Sequence, residues 1–298
     1  MRMIRRIVFF AACSLLVLVK PAFGAEIEII KDIPYLGEGR AEKMDAYLPK
    51  KDSKRPLPVV IWIHGGGWMT GSKSAARELN ICRTLAENGY AAFSIDYKLG
   101  KQTEEKDGKE AVVTEVPWPQ NIYDCKTAVR YVRKEAARFG IDPEKIAIAG
   151  GSAGAHLALV VGLTTDNAKL NAGGLYTDQS NAISCIMDFY GPTRIEGSRT
   201  KRFAGKTPEE TAENAKLGSP VQQVRRDSPP VLVLHGTADK TTDIAFSRDL
   251  VTKMKEVGTI HEYLEVPEAG HSFHLQPKQM DLRPVVLAFL GKHLANKP

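Results

Sequence analysis

Five continuous runs of apolar, mainly β-branched residues recur along the chain, and each has the length of one strand. Such runs are typical of strands that are covered on both faces of a sheet. They lie at residues 59–63, 91–95, 146–149, 183–189 and 231–234. Between them come helical patterns, at residues 75–88, 120–139, 153–163 and 244–257. This alternation predicts the α/β class, with a mostly parallel sheet and helices on both faces.

Three further strands complete the predicted sheet. Apolar residues alternate with polar ones at residues 26–30 and 43–48, on either side of a turn at residues 37–39, which predicts two antiparallel edge strands. Another strand is predicted at residues 261–266. The sheet is then eight-stranded, and because no repeat or linker interrupts the pattern, residues 25–298 are predicted to form one domain.

The N-terminal segment has the features of a secretory signal peptide. Basic residues precede an apolar run at residues 7–19, whose 13 residues are fewer than the roughly 20 that span a bilayer. The small residues Ala22 and Gly24 then precede Ala25, as at a cleavage site. We therefore expect residues 1–24 to be removed on export to the periplasm or the cell exterior; an uncleaved membrane anchor is the alternative.

Charge and cysteine content narrow the class of protein. The signal segment holds four of the 41 Lys and Arg residues and no acid, so 37 basic residues face 35 acidic ones in the remainder. This balance disfavours a nucleic-acid partner. Three cysteines remain, Cys82, Cys125 and Cys185, and their odd number favours buried thiols over a disulfide framework.

Two polar segments interrupt the alternation of strands and helices. Residues 101–114 are charged and contain little apolar surface, which predicts an exposed loop. Residues 192–224 are irregular, with a short helix predicted at residues 208–216. Because this second segment follows the end of a strand, where such sheets place their ligands, we expect it to border a substrate cleft.

The sequence Gly150-Gly151-Ser152-Ala153-Gly154 follows one predicted strand directly and opens the next predicted helix. A serine in a tight strand-to-helix turn projects its hydroxyl above the sheet, and the glycines on either side allow neighbouring chain to pass close by. This is the pattern of a nucleophile elbow. Ser152 is therefore the candidate nucleophile.

The sequence His64-Gly65-Gly66-Gly67-Trp68 follows another predicted strand, 59–63. Three consecutive glycines allow backbone N–H groups to converge on one point, where they can stabilise the negative charge that develops on a substrate oxygen. The sequence does not decide which two of the three glycines donate.

A serine hydroxyl needs a base to accept its proton and an acid to orient that base. In this architecture the acid and then the histidine follow the serine along the chain. Asp239 follows the strand at 231–234, and His271 follows the strand at 261–266. Both therefore lie at the same edge of the sheet as Ser152, with His271 as the base and Asp239 as the orienting acid.

Four other residues could compete for these roles. Asp243 has the position of a cap for the helix that starts near residue 244. His274 is expected to pack or to lie at the surface, His156 to pack beneath the elbow, and His64 to brace the glycine loop. No cluster of Cys or His has the spacing of a metal site.

With these motifs the chain resembles α/β-hydrolases of the hormone-sensitive-lipase-like type, and within them secreted bacterial carboxylesterases of the acetylxylan and feruloyl esterase type. The resemblance covers about residues 30–295. Its matching segments are residues 64–68, 96–97, 124–130, 141–143, 150–156, 219–220, 235–239 and 270–273. Ala155 and Lys98 depart from it, since glycine and arginine are common there.

By this resemblance Ser152, Asp239 and His271 form a catalytic triad. The N–H groups of Gly66, Gly67 and Ala153 then form the oxyanion hole. The implied activity is that of a serine carboxylesterase that hydrolyses short-chain acyl esters through an acyl-enzyme, with acetyl or feruloyl esters on plant polysaccharide as one substrate class. This chemistry needs no cofactor and no metal.

The expected partner is therefore a small-molecule or polysaccharide-linked ester, with no nucleic acid and no stable membrane association after signal cleavage. Trp68, Trp118 and Tyr190 are candidates for a sugar-stacking surface. Two other classes stay open, because one fold can serve several functions. They are a secreted serine peptidase of the same fold and a catalytically silent binding protein.

Overall fold

The computed structural model describes residues 26–50, 56–103 and 112–295. The predicted signal peptide, residues 1–24, lies outside these residues. Among the helices of the described ranges, none combines the length and the apolar character needed to cross a lipid bilayer.

The described residues form ten strands: β1 (Ile27–Ile33), β2 (Met44–Pro49), β3 (Leu57–Ile63), β4 (Ala91–Ile95), β5 (Lys101–Gln102), β6 (Val113–Glu115), β7 (Ile141–Gly151), β8 (Cys185–Phe189), β9 (Val231–Gly236) and β10 (His261–Val266). Strands β5 and β6 form a separate pair, and the other eight form one sheet in the spatial order β1-β2-β4-β3-β7-β8-β9-β10. Strand β2 pairs antiparallel with β1 and β4, and every other pairing in this sheet is parallel. The predicted eight-stranded, mostly parallel sheet is thus confirmed.

Helices cover both faces of this sheet. Alternate residues of a strand point to opposite faces and therefore pack against different helices. On β3, Val59, Ile61 and Ile63 pack with one set of helices, and Val60 and Trp62 pack with the other. The first set includes α2 (Gln120–Lys134), α4 (Ala153–Leu163) and α8 (Ala245–Val257), and the second includes α1 (Ala76–Glu87) and α9 (Arg283–Leu294). The shorter helices are α3 (Ala136–Phe139), α5 (Ala168–Asn171), α6 (Pro208–Leu217), α7 (Pro220–Gln223) and a 3-10 helix (Gly197–Phe203).

Several predicted elements need correction. Strand β2 is an inner strand and is buried along its whole length, so only β1 is an edge strand of the predicted pair. The helix predicted at 120–139 is two helices that meet at Glu135. Residues 101–114 are not simply a loop, because Lys101–Gln102 pairs antiparallel with Val113–Glu115.

Helix α9 was not predicted from the sequence. Its residues 285–290 form a continuous apolar run, and such a run does not by itself distinguish a buried helix from a strand. The three cysteines Cys82, Cys125 and Cys185 are buried and free, which confirms the prediction of buried thiols.

The parallel strands β3, β7, β9 and β10 all end at one edge of the sheet. The loops that leave this edge carry the glycine motif after β3, Ser152 after β7, Asp239 after β9 and His271 after β10. The fold therefore gathers residues that are up to 207 positions apart, from His64 to His271, around one edge.

Candidate active site

Ser152 lies at the turn between β7 and α4, and its φ of 56° is in the left-handed region that L-residues rarely adopt. At the glycines on either side of Ser152, the neighbouring backbone leaves no room for a side chain. A Cβ on Gly154 would lie 2.1 Å from the carbonyl oxygen of Ile63, and a Cβ on Gly150 would lie 2.4 Å from the carbonyl carbon of Gly154. The glycines thus permit a strained turn that presents the serine hydroxyl above the sheet.

His271 lies between Ser152 and Asp239 and contacts both. Its Nε2 atom is 2.9 Å from the Ser152 hydroxyl, and its Nδ1 atom is 2.7 Å from Oδ2 of Asp239. Because a carboxylate only accepts hydrogen bonds, Nδ1 carries the proton and Nε2 is free to accept one from the serine. The three residues predicted from separate loops therefore come together in the order needed for proton transfer.

Hydrogen bonds hold the Asp239 carboxylate in its ionised form. Burial on its own raises the pKa of this carboxyl group, but hydrogen bonds from His235, from His271 and from the backbone of Thr242 and Thr241 outweigh that effect. The N–H groups of Thr241 and Thr242 donate to Oδ1 at 2.8 and 2.9 Å. The pKa of Asp239 consequently lies well below its usual range, and its negative charge stabilises the imidazolium that forms when His271 accepts a proton.

The glycine loop after β3 supplies unused backbone donors beside Ser152. Gly66 has a φ of 110°, and a Cβ there would lie 2.1 Å from the carbonyl oxygen of Thr70, so only glycine fits. Within the described part of the chain, the N–H groups of Gly66, Gly67 and Ala153 donate to no protein acceptor. All three residues border a cavity at Ser152, as an oxyanion hole requires.

Two other histidines brace this loop and the elbow. The Nδ1 atom of His64 lies 2.7 Å from the carbonyl oxygen of Gly65, and its ring stacks on Tyr97 at a centroid distance of 4.5 Å. His156 accepts a hydrogen bond from the indole of Trp68 at 3.2 Å and donates to the Gly218 carbonyl at 2.6 Å. Burial lowers the pKa of His156 to about 4, so it is neutral at physiological pH and acts in packing.

The remaining competitors have other roles. Asp243 accepts a hydrogen bond from the N–H of Ala245, the first residue of α8, at 2.9 Å, although the N-cap of this helix is Ile244 and not Asp243 as expected. His274 accepts a hydrogen bond from the N–H of Gln276 at 3.0 Å. Neither side chain contacts Ser152. In the described ranges, no group of three or more His, Cys, Asp and Glu residues is arranged to hold a metal ion.

The three aromatic residues proposed as a sugar-stacking surface are buried, which corrects that prediction. Trp68 is 3% exposed, Trp118 is 6% exposed and Tyr190 is fully covered. Both tryptophans pack against Phe203, with ring centroids at 5.4 and 5.0 Å. Aromatic side chains that carry this much apolar area more often stabilise the core than face a ligand.

Two cavities meet at Ser152. The first, called here the His271-side cavity, has a volume of about 330 Å³ and is lined by Gly66, Arg77, Ser152, His271 and Ser272, among others. The second, the Arg199-side cavity, has a volume of about 270 Å³ and is lined by Gly67, Ser152, Ala153, Arg199, Arg202 and Thr242, among others. The segment 192–224 therefore borders the site, as expected from its position after β8. No motif in the sequence indicated its two arginines.

The sequence profile of the BD-FAE family matches residues 44–254, which include Ser152 and Asp239. The chain belongs to the BD-FAE family. Esterase LipC of Mycobacterium tuberculosis is 31% identical over 251 residues, which cover 80% of this chain and 59% of LipC. The probable carboxylic ester hydrolase LipM of the same organism is 30% identical over 257 residues, or 82% of this chain and 56% of LipM. This BD-FAE member thus spans little more than half the length of these relatives.

Solved structures place the BD-FAE member among α/β-hydrolases. A truncated carbohydrate esterase from gut microbiota superposes with a TM-score of 0.77 at 25% identity, over 93% of this chain and 99% of that one. Thermogutta terrifontis esterase 2, in a form phosphorylated by paraoxon, superposes with a TM-score of 0.69 at 26% identity, over 93% and 97% of the two chains. The resemblance to α/β-hydrolase esterases and the α/β-hydrolase fold are confirmed.

Proposed function

We propose that this protein is a serine carboxylesterase in which Ser152 is the nucleophile, His271 the general base and Asp239 the orienting acid. The observation that carries the proposal is the continuous hydrogen-bonded path from the Ser152 hydroxyl through His271 to Asp239, with distances of 2.9 and 2.7 Å. At Ser152, where this path ends, lie the unused backbone N–H groups of the oxyanion hole and two cavities. Nucleophile, base and oxyanion donors then meet at one point.

In the first step, Ser152 attacks the carbonyl carbon of the ester while Nε2 of His271 accepts the hydroxyl proton. The tetrahedral oxyanion receives hydrogen bonds from the N–H groups of Gly66, Gly67 and Ala153. Each such donor is worth about 3–4 kcal/mol in the transition state of comparable enzymes. His271 then returns its proton to the oxygen of the leaving alcohol, and an acyl-enzyme remains.

In the second step, water takes the place of the alcohol. His271 accepts a proton from this water, and the resulting hydroxide attacks the acyl-enzyme. As the second tetrahedral intermediate collapses, the bond between the acyl carbon and the Ser152 oxygen breaks, His271 returns its proton to that oxygen, and the acid is released. The negative charge of Asp239 stabilises the imidazolium in both steps. The residues of this chain supply every proton transfer, so the mechanism calls for no cofactor.

We propose short-chain acyl esters as substrates, with acetyl or feruloyl esters on plant polysaccharide as the natural class. The cavities on the two sides of Ser152, about 330 and 270 Å³, are at the small end of ligand pockets, which favours short acyl groups. Thermogutta terrifontis esterase 2 has been solved with butyrate and with propionate bound. The structural neighbour from gut microbiota is named a carbohydrate esterase. The features of residues 1–24 further support export to the periplasm or the cell exterior.

The test is hydrolysis of p-nitrophenyl esters from acetate to palmitate by the mature protein and by Ser152→Ala. We expect turnover of the short esters, a decline with chain length, and a loss of about 10⁴-fold or more in kcat for Ser152→Ala. Paraoxon should add one diethylphosphoryl group to the wild type, on Ser152, and none to Ser152→Ala. Turnover of peptides without turnover of esters would support a serine peptidase instead, and folded protein without turnover or labelling would support a binding role.

A further inference from the structure

Two arginines of the 3-10 helix line the Arg199-side cavity together with Ser152. Arg199 and Arg202 are three residues apart, so one turn of a 3-10 helix places them on the same face. The same cavity is bordered by Gly67 and Ala153, the proposed oxyanion donors. A substrate that extends from Ser152 into this cavity therefore approaches two guanidinium groups.

Neither guanidinium is neutralised by a carboxylate within ion-pair distance in the described ranges. Arg199 stacks on the ring of Phe246 at 4.8 Å, which fixes its position without cancelling its charge. The Nε atom of Arg202 is buried and makes no hydrogen bond to any residue that the structure describes. Burial lowers the pKa of both arginines. The charge of the nearby Glu196 carboxylate opposes this effect in part for Arg199, and the charge of Arg199 lowers the pKa of Arg202 further.

Arg194, near the start of the same segment, differs from Arg199 and Arg202 because acidic residues neutralise its charge. Its guanidinium also lies over the Phe246 ring, at 4.9 Å, but it forms ion pairs with Glu196 and Asp249. It does not line the cavity. Within the described ranges, Arg194, which lies away from the cavity, forms ion pairs, whereas Arg199 and Arg202 form none, and Glu196 acts on Arg199 only from beyond ion-pair distance.

We propose that Arg199 and Arg202 form a carboxylate-binding subsite, so that the preferred ester substrate carries a carboxylate group. The inference rests on the proposed esterase function and specifies the charge of its substrate. A guanidinium presents a planar fork of N–H donors that matches the two oxygens of a carboxylate. In a half-buried cavity, where water screens charge poorly, such a pair is strong enough to determine which ester is preferred.

The position of His271 indicates which part of the ester carries the carboxylate. His271 lines the other cavity, and it must reach the oxygen of the leaving alcohol to protonate it. The alcohol then occupies the His271-side cavity and the acyl group extends toward Arg199 and Arg202. A monoester of a dicarboxylic acid fits this arrangement. The second source of the same chemistry is an alcohol that carries the carboxylate, such as an acetylated uronic acid, which would have to place its alcohol part in the Arg199-side cavity instead.

The test compares two esters that differ only at the end of the acyl chain. p-Nitrophenyl valerate ends in a methyl group, and p-nitrophenyl hemiglutarate carries a carboxylate in its place; Ser152→Ala measures the spontaneous hydrolysis of each. For the double variant Arg199→Gln/Arg202→Gln, we expect the ratio of kcat/KM for hemiglutarate to that for valerate to fall about 10- to 100-fold. In the wild type this ratio should fall as salt is added, because salt screens the charges.

Arg194→Gln is the matched control, since it removes a guanidinium from the same Phe246 ring but not from the cavity. An equal fall in the ratio for Arg194→Gln would overturn the subsite and indicate loss of support for the 3-10 helix. Acetylated glucuronic acid against acetylated glucose is the second arm; a charge preference there that the double variant abolishes supports the subsite with the carboxylate on the alcohol.

The two proposals can fail separately. Turnover of valerate with no sensitivity to charge in either arm would overturn the subsite and leave the esterase function intact. Absence of turnover with every neutral and charged ester would overturn the esterase function. Calorimetric titration of Ser152→Ala with glutarate then tests the subsite on its own: binding that the double variant loses supports it, and equal or absent binding overturns it.

Discussion

The buried hydroxyl of Tyr190 donates a 2.7 Å hydrogen bond to the backbone carbonyl of Phe273, two residues after His271. The edge of the same Tyr190 ring packs on the His271 imidazole at a centroid distance of 4.9 Å. Tyr190 directly follows β8 and has a φ of 49°, a strained conformation that surrounding contacts must maintain. One side chain thus joins the end of β8 to the loop that carries the proposed base.

Tyr190→Phe should therefore affect both stability and catalysis. The substitution leaves the Phe273 carbonyl without its donor, which we expect to lower the free energy of unfolding by about 1–3 kcal/mol. A looser His271 loop should lower kcat several-fold and change KM less, because the hydrogen bond from Tyr190 acts on the loop that orients the base. Urea unfolding and ester kinetics measure the two effects.

Tyr263→Phe is the control for this substitution. It removes a hydroxyl that donates to Glu265 at 2.8 Å on the edge strand β10, away from Ser152. We expect it to leave the kinetics at wild-type values. If Tyr190→Phe lowered stability but left kcat at the wild-type value, the contact with Phe273 would be structural only.

Asp239→Asn should inactivate the enzyme without unfolding it. An asparagine amide can present a donor to Nδ1 of His271 and so favour the tautomer that cannot accept the Ser152 proton. In serine hydrolases with this arrangement the loss in kcat is about 10⁴-fold. Stopped assays with p-nitrophenyl acetate test this, and a loss smaller than tenfold would argue against Asp239 as the orienting acid. Asp243→Asn, beside the start of α8, should retain wild-type kcat.

The Asp239→Asn variant should also differ from the wild type in how its free energy of unfolding depends on pH. Since folding lowers the pKa of Asp239, the ionised carboxylate contributes stability above its ordinary value of 3.8, and this contribution is lost as the pH falls toward the folded pKa. The wild type should exceed Asp239→Asn in free energy of unfolding between pH 5 and 8. The difference should shrink below about pH 4. Urea titrations across this range measure it, and a difference that grows on acidification would contradict the assigned hydrogen bonds.

The parts of the site that were predictable are those encoded in short segments. Ser152 sits in a strand, turn and helix that lie within 25 residues, so spacing alone located it. Asp239 and His271 were identified because the carboxyl ends of parallel strands share one edge of the sheet. The position of each residue on its own loop was sufficient, and no pairing of distant side chains had to be known.

The parts that were not predictable depend on contacts between distant segments. The pairing of Lys101–Gln102 with Val113–Glu115 carries almost no apolar pattern, and the burial of Trp118 depends on Phe203, 85 residues later. Arg199 and Arg202 lie in a segment whose composition is typical of a polar loop. They differ from solvent-exposed arginines only because the folded chain places this segment beside Ser152, which the local sequence does not indicate.

Asp188 should oppose stability as the pH rises. Its Oδ1 atom accepts a 2.9 Å hydrogen bond from the N–H of Gly191, while its Oδ2 atom is buried and has no hydrogen-bond partner among the described residues. Burial raises the pKa of Asp188 to about 7, although the hydrogen bond from Gly191 and the nearby His235 lower it in part. The folded protein then binds a proton that the unfolded chain has lost, so this group reduces stability progressively between about pH 4 and pH 7.

Asp188→Asn tests this behaviour, because the amide stays neutral and its carbonyl oxygen can still accept from Gly191. Relative to wild type, the variant should gain in free energy of unfolding as the pH rises from 4 to 7, by a few kcal/mol in total, and the difference should level off above pH 7. Urea titrations at fixed pH values measure the gain. A difference independent of pH would mean that Asp188 is ionised throughout.

Two substitutions of the same kind should have opposite effects, because one glycine touches backbone and the other faces open space. A Cβ on Gly154 would lie 2.1 Å from the carbonyl oxygen of Ile63 and 2.5 Å from that of His64, and neither backbone group can move without displacing β3. Gly291 lies in helix α9, and a Cβ there would meet no atom within 4 Å. Gly154→Ala should therefore cost about 3 kcal/mol or more and displace the elbow from the glycine loop. Gly291→Ala should instead stabilise the protein by about 0.5–1 kcal/mol, since alanine favours the helix. Thermal and urea unfolding of the two variants measure these changes in stability. Equal stabilities of the two variants would mean that β3 and α4 can move apart enough to admit the Cβ without loss of free energy, and Gly154→Ala should then also keep its esterase activity.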